Sequence, residues 1–192
     1  MNPHSDLKTA LDEVSASSAG GSPFLIAYGA TFIITAILSL VLPRTTAALI
    51  AMFQGTVALP LAFWLERRMG SQRMSTGNPL RDLSALMAVS QALGIPALIV
   101  VFSLNPAAVP VVLAGLGGVH FLPYAWLHRT RLYIFLGAAA AIGAFVIQIM
   151  LGAQAFSVIL FYVGIVYWIF APLLVRHASQ IVREQASLEP QA

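Results

Sequence analysis

Apolar residues arrive along this chain in six long runs, at 23–42, 46–64, 83–104, 108–127, 132–151 and 155–175. Each is close to the roughly 20 residues that a helix needs to cross about 30 Å of hydrocarbon. The segments between them, "PRTT", "ERRMGSQRMSTGNPLRD", "NPAA", "HRTR" and "GAQ", hold the charges, turn formers or glycine that a span avoids. The pattern predicts an all-α integral membrane fold with six transmembrane helices. The break between runs five and six is the shortest, which leaves their shared boundary the least defined.

A polar stretch, residues 1–21, precedes the first run. Within it Leu7, Ala10, Leu11 and Val14 recur at helical spacing behind Ser5 as a cap, which predicts a short amphipathic helix resting at the membrane surface. It lacks the ordered basic and apolar regions of a cleavable signal, so the mature chain is expected to keep it. The organisation is then a polar N-terminal segment at 1–21, a six-helix domain at 22–176 and a polar C-terminal tail at 177–192.

Runs two and four end alike. "GTVALPLAFWLER" at 55–67 and "GVHFLPYAWLHR" at 118–129 share a glycine, a Leu-Pro pair, Ala, Trp-Leu and a basic stop, and "WIFAPLLVR" near the end of run six echoes them. This suggests three repeated helical hairpins. A proline removes one helical hydrogen bond and frees the carbonyl four residues earlier. Kinks are therefore expected at Pro60, Pro96, Pro123 and Pro172, opening space on one side of the bundle. Small residues concentrate in runs four and five, where Ala114 with Gly118 and Gly137 with Ala141 predict close helix packing.

Composition agrees with a membrane class. Only 9% of residues are charged, far below the quarter or so typical of soluble domains, and mean hydropathy is +0.85. Charge distribution adds direction. Lys8, Arg67, Arg68, Arg73, Arg81, Arg129, Arg131, Arg176 and Arg183 fall on one side of a six-span layout, against Arg44 alone on the other. Positive charge stays inside, so both termini are expected in the cytoplasm and the protein in a bacterial inner membrane. Trp64, Trp126 and Tyr133 flank the basic loops as an interfacial aromatic belt would. Arg67, Arg68 and Arg73 are candidates for contact with anionic lipid. No basic patch interleaved with aromatics on a soluble module points to nucleic acid, and nothing defines an oligomeric state.

No Asp, Glu, Lys or Arg lies deep in any run, which argues against ionisable proton relays and against carboxylate-dependent hydrolysis. Cysteine is absent, so thiol chemistry is excluded. His120, His128 and His177 lack helical ligand spacing and a nearby carboxylate, so no metal site and no cofactor are expected. The polar residues left within the runs include Gln91, His120 and Tyr124, with Gln54 and Tyr28 as second choices for a ligand pocket. His120 has three readings: a clasp to Gln91 and a freed carbonyl, the polar centre of a pocket, or an acid–base catalyst. They correspond to three functions. The first is a structural or regulatory membrane subunit without ligand. The second, which leads, is a non-enzymatic protein that binds or passes a small solute through a cytoplasm-facing pocket. The third is a membrane-embedded enzyme.

"NPLRDLSALMAVSQALGIPALIVVF" followed by "GGVHFLPYAWLHRTRLYI" resembles a family of small bacterial multi-span membrane proteins known only as a domain of unknown function. The shared positions are Asn78, Pro79, Leu80, Gln91, Gly118, His120, Leu122, Pro123, Tyr124, Trp126, Leu127 and Tyr133. The resemblance is fullest over the first four runs. It implies a class and no mechanism, and it singles out Gln91 and His120 together.

Overall fold

The structure, a computed structural model, describes residues 3–70 and 73–188. Those residues are mostly helical, with no strand among them. Helix α1 spans Pro3–Ser17 and α2 Ser22–Leu38; α3 (Arg44–Phe53) and α4 (Gly55–Met69) follow almost in line. Then come α5 (Arg81–Ser90), α6 (Ile95–Leu104), α7 (Val109–His120), α8 (Leu122–Leu127), α9 (Leu132–Leu151) and α10 (Ala155–Leu188).

Among the described residues five stretches are long and apolar enough to cross a membrane: Ala19–Leu38, Arg44–Met69, Arg81–Leu104, Pro106–Leu127 and Leu132–Ser187. The last reverses at Gly152, whose φ of 54° suits glycine, into α9 and α10 packed side by side. The count is thus five or six. Helix α10 runs helically past the apolar segment to Leu188, through most of the predicted polar tail.

The predicted close packing of runs four and five is present. A Cβ placed on Gly137 would lie 2.5 Å from the Gly118 carbonyl oxygen, and one on Gly118 would lie 2.7 Å from Ala141 Cβ. Only hydrogen at these positions lets the backbones of α7 and α9 touch. A second glycine contact joins α2 to α10, where Gly29 and Gly164 face one another. Around these seams Leu136, Ile159, Leu160 and Leu174 are fully buried.

Two expectations change. Helix α1 has the predicted apolar face, but Ala10, Leu11 and Val14 bury against Leu80 and Leu127 rather than resting on a membrane surface. An apolar stripe satisfies itself against whatever apolar surface is nearest, and here protein supplies it. The prolines also behave differently. Pro60 and Pro172 sit inside the continuous helices α4 and α10. The breaks fall at Gln54, at the 3₁₀ turn Gln91–Gly94 and at Phe121. Pro96 and Pro123 each stand second in the helix that follows a break, where a missing N–H has no intrahelical bond to lose. The sequence echo between runs two and four is therefore not an echo in where the helices break.

Overpacking a glycine seam typically costs about 1–3 kcal/mol. Gly137→Ala should lower the melting temperature of the detergent-purified protein accordingly. Gly115→Ala, with no heavy atom within 4 Å of the new Cβ, should leave it unchanged or raise it slightly.

Candidate functional site

One end of the bundle carries α1, the 73–80 loop, the 128–131 turn and the C-terminal part of α10. Helix α1 is latched there by polar contacts. The Asp12 carboxylate is buried and pairs with Lys8 Nζ at 3.2 Å and Arg129 Nη1 at 3.1 Å. Glu13 accepts from the Ser75 backbone N–H, from Ser75 Oγ at 3.1 Å and from Asn78 Nδ2 at 2.7 Å; Asn78 Nδ2 also donates to the Ala10 carbonyl at 3.0 Å. Ser15 Oγ lies 3.1 Å from His128 Nδ1. Beyond α1, Ala19, Gly20 and Gly21 all adopt positive φ, and Tyr133 Oη donates to the Gly20 carbonyl at 2.6 Å. That left-handed turn lays α1 against the bundle end instead of extending α2.

Asn78 explains part of the Asn-Pro-Leu motif. Its Oδ1 accepts from the Leu80 N–H at 2.9 Å, closing an Asx turn, while its amide reaches α1. His128 is buried and held neutral. Burial pushes its pKa down to about 3, with the neighbouring His177 adding to the effect. His177 Nε2 donates to the His128 carbonyl at 3.0 Å. For Glu13, burial acts to raise the pKa, but the Ser75 and Asn78 hydrogen bonds outweigh it and the net direction is down.

Inside this end lies a cavity of about 1090 Å³. Tyr28, Gln54, Gln91, His120 and Tyr124, the five residues chosen from sequence, all line it. Three of them stand at helix breaks: Gln54 joins α3 to α4, Gln91 opens the 3₁₀ turn, and His120 ends α7. A break turns a side chain out of the regular ridge of its helix, which is how three separate spans deliver amide and imidazole groups into one space.

The polar groups differ in how they are met. Gln54 is only 7% exposed, and neither its Nε2 nor its Oε1 has a hydrogen-bond partner. His120 Nδ1 lies 3.5 Å from Ser90 Oγ, at the edge of hydrogen bonding, and forms no bond to Gln91. The clasp expected between His120 and Gln91 is therefore not made. Gly117 leaves room for two other groups. A Cβ there would lie 3.1 Å from Tyr167 Oη and 3.7 Å from Gln91 Nε2.

Rings form one wall. His120 meets Tyr124 edge-on at 5.3 Å, Tyr124 stacks on His128 at 5.9 Å and 9°, and His128 stacks on Tyr133 at 5.3 Å. Phe121 links Tyr133 to Tyr167. Sequence reading placed Tyr133 in an interfacial belt and did not select His128, or Tyr167, which no local spacing joins to the others. The i, i+4 register of His120, Tyr124 and His128 was the available signal. The same reading missed Arg81 at the cavity, and it assigned Arg67 and Arg73 to lipid contact, although both line the cavity as well. Arg68 instead lies over the Trp64 ring at 5.1 Å. Among the described residues no three His, Cys, Asp or Glu side chains group closely enough to hold a metal.

The profile of a family described as a family of unknown function (DUF7010) matches residues 7–177. No curated protein and no solved structure matches the chain.

Because the folded-state pKa of His128 is depressed, the unfolded chain takes up its proton first. Stability should be full above the unfolded value near 6.5 and fall as pH drops, by at most about 1.4 kcal/mol per pH unit. Glu13 acts in the same direction but only nearer its own unfolded value of 4.5. Thermal melts of the native protein between about pH 7 and pH 5 should show the loss, and His128→Gln should flatten it.

Proposed function

Since the chain belongs to the DUF7010 family, whose function is unknown, we propose a function from its geometry. It is a six-span inner-membrane protein with both termini in the cytoplasm. It binds or passes a small solute in the cavity at its cytoplasmic end and carries out no chemistry on it. One observation carries this reading: the Gln54 amide, buried on the cavity wall with donor and acceptor both unmet. Leaving such a group unsatisfied costs about 1–3 kcal/mol, a cost that an occupant offering one acceptor and one donor removes.

Two further features support it. Irregular backbone at membrane depth is tolerated where it lines a cavity or is buried in protein, and three breaks converge on this one. Among the described residues the one carboxylate on the cavity wall is Glu66, and His120 forms no hydrogen bond with it. The orientation rests on the asymmetry of Lys and Arg, nine against one.

Because the chain has no cysteine, orientation can be read by single-cysteine labelling in intact cells. Arg44→Cys should react with a membrane-impermeant maleimide, and Gly77→Cys only after the membrane is broken. The reverse pattern would invert the proposed topology.

The cavity itself is tested by Gln54→Leu. Replacing an unmet amide by an apolar group should raise the melting temperature of the ligand-free protein. It should also remove that part of a solute's stabilisation, read in a thermal-shift screen, that comes from hydrogen bonding to the amide. A destabilised Gln54→Leu would mean that the amide is a structural bond, and the cavity reading would fall.

A further inference from the structure

The cavity wall is not uniform. Arg67, Arg73 and Arg81 line the cavity, three guanidinium groups against the single carboxylate, Glu66, among the described residues. None of the three arginines forms an ion pair among the described residues, whose salt bridges are both made by Asp12. The unmet amide of Gln54 belongs to the same wall. Leu59 and Phe63 of α4 and Ala85 and Val89 of α5 line it as well, and Phe24 lies edge-on to Phe63 at 5.2 Å.

Length follows from α4. Arg67 lies thirteen residues beyond Gln54 along this helix, which at 1.5 Å per residue is about 20 Å. The trough is also open along its side. Phe63 and Val89 line it and yet are 43% and 63% exposed, and Leu98 is the one buried residue described in the Arg81–Leu104 stretch. Helix α5 packs mainly on the turn that follows it. This slot between α4 and α5 opens to the exterior of the bundle.

We infer that the ligand is an elongated amphiphilic organic acid. Its anionic head rests among Arg67, Arg73 and Arg81, its apolar body lies in the trough, and a hydrogen-bonding group at its far end meets Gln54. The inference rests on the cavity reading above and narrows its solute to one chemical class. Three cations against one carboxylate favour an anion. The apolar wall favours a chain or ring body, and the buried amide disfavours a purely hydrocarbon tip, which would leave it unmet. Entry is lateral, from the bilayer.

The test is equilibrium binding to the purified full chain in a non-ionic detergent, with ω-hydroxypalmitate, palmitate and palmityl alcohol as probes and acetate as a head-only control. ω-Hydroxypalmitate should bind most tightly, palmitate about fivefold more weakly, and palmityl alcohol at least about tenfold more weakly; acetate should not bind. Arg73→Gln with Arg81→Gln should weaken both acids about tenfold and leave the alcohol unchanged. Both side chains are exposed, and Arg67, Arg68, Arg129 and Arg131 remain to hold the topology, so this variant should melt like the native protein. Gln54→Leu should erase the advantage of the ω-hydroxyl while leaving palmitate binding intact.

Equal binding of acid and alcohol, or acids indifferent to the arginine substitutions, would overturn the anionic head. Equal binding of palmitate and its ω-hydroxy form would overturn the role given to Gln54. If no probe binds while another solute still protects the native protein and not Gln54→Leu, the inference fails and the cavity reading survives. A ligand-free Gln54→Leu that melts early would instead remove the cavity reading itself.

Discussion

The buried carboxylate of Asp12 is the interaction on which the basic end depends. A carboxylate out of water is tolerated only when it is paired and hydrogen-bonded, and this one is met by Lys8 from its own helix and Arg129 from the turn after α8. That pairing fixes α1 across the bundle end. With α1 in place, Ser17, Ser18 and Gly21 complete the cavity wall, and Ser15 reaches the ring stack through His128. Removing one partner would leave an uncompensated buried charge, so the latch binds the N-terminal segment to the cavity it borders.

The molecule is held unevenly around that cavity. On one side α2, α7, α9 and α10 meet through glycine seams that admit no added carbon, and the ring wall stands on this rigid group. On the other side α5 touches the body through few residues, Met87 among them. Dispersion energy depends on close contact, so the rigid group carries most of the packing and α5 is the wall held least. An opening bordered by one firm face and one loose face can widen without disturbing the core.

Much of this was legible in the sequence, and what was not has physical reasons. The apolar runs follow directly from hydropathy, since each helix must present hydrocarbon to its surroundings. Gly118 and Gly137 could be paired because small-residue spacing is local and the contact it permits is simple. Gln54, Gln91, His120, Tyr124 and Tyr28 could be gathered because polar side chains are scarce in apolar runs and their depth can be counted. The helix breaks were misplaced because proline marks a missing hydrogen bond without saying where the helix will yield. At Pro60 the helix absorbs the loss, while Gln54, with no proline beside it, stands at a break. The partner of α1 was hidden because an apolar stripe of Ala10, Leu11 and Val14 reads the same whether lipid or Leu80 and Leu127 cover it. The arginines of the rim were read only for their sign, since a basic loop sets topology whatever space it borders.

The turn at Ala19–Gly21 and the latch beyond it have a consequence for the order of assembly. Helix α1 precedes every partner it has: Glu13 bonds a residue 62 positions later, Ser15 one 113 later and Asp12 one 117 later. During synthesis its carboxylates and hydroxyl remain solvated while two to four spans are made after them. The segment that leaves the ribosome before the spans is therefore the last to settle, and the cavity takes its shape only when the chain has come back to close it.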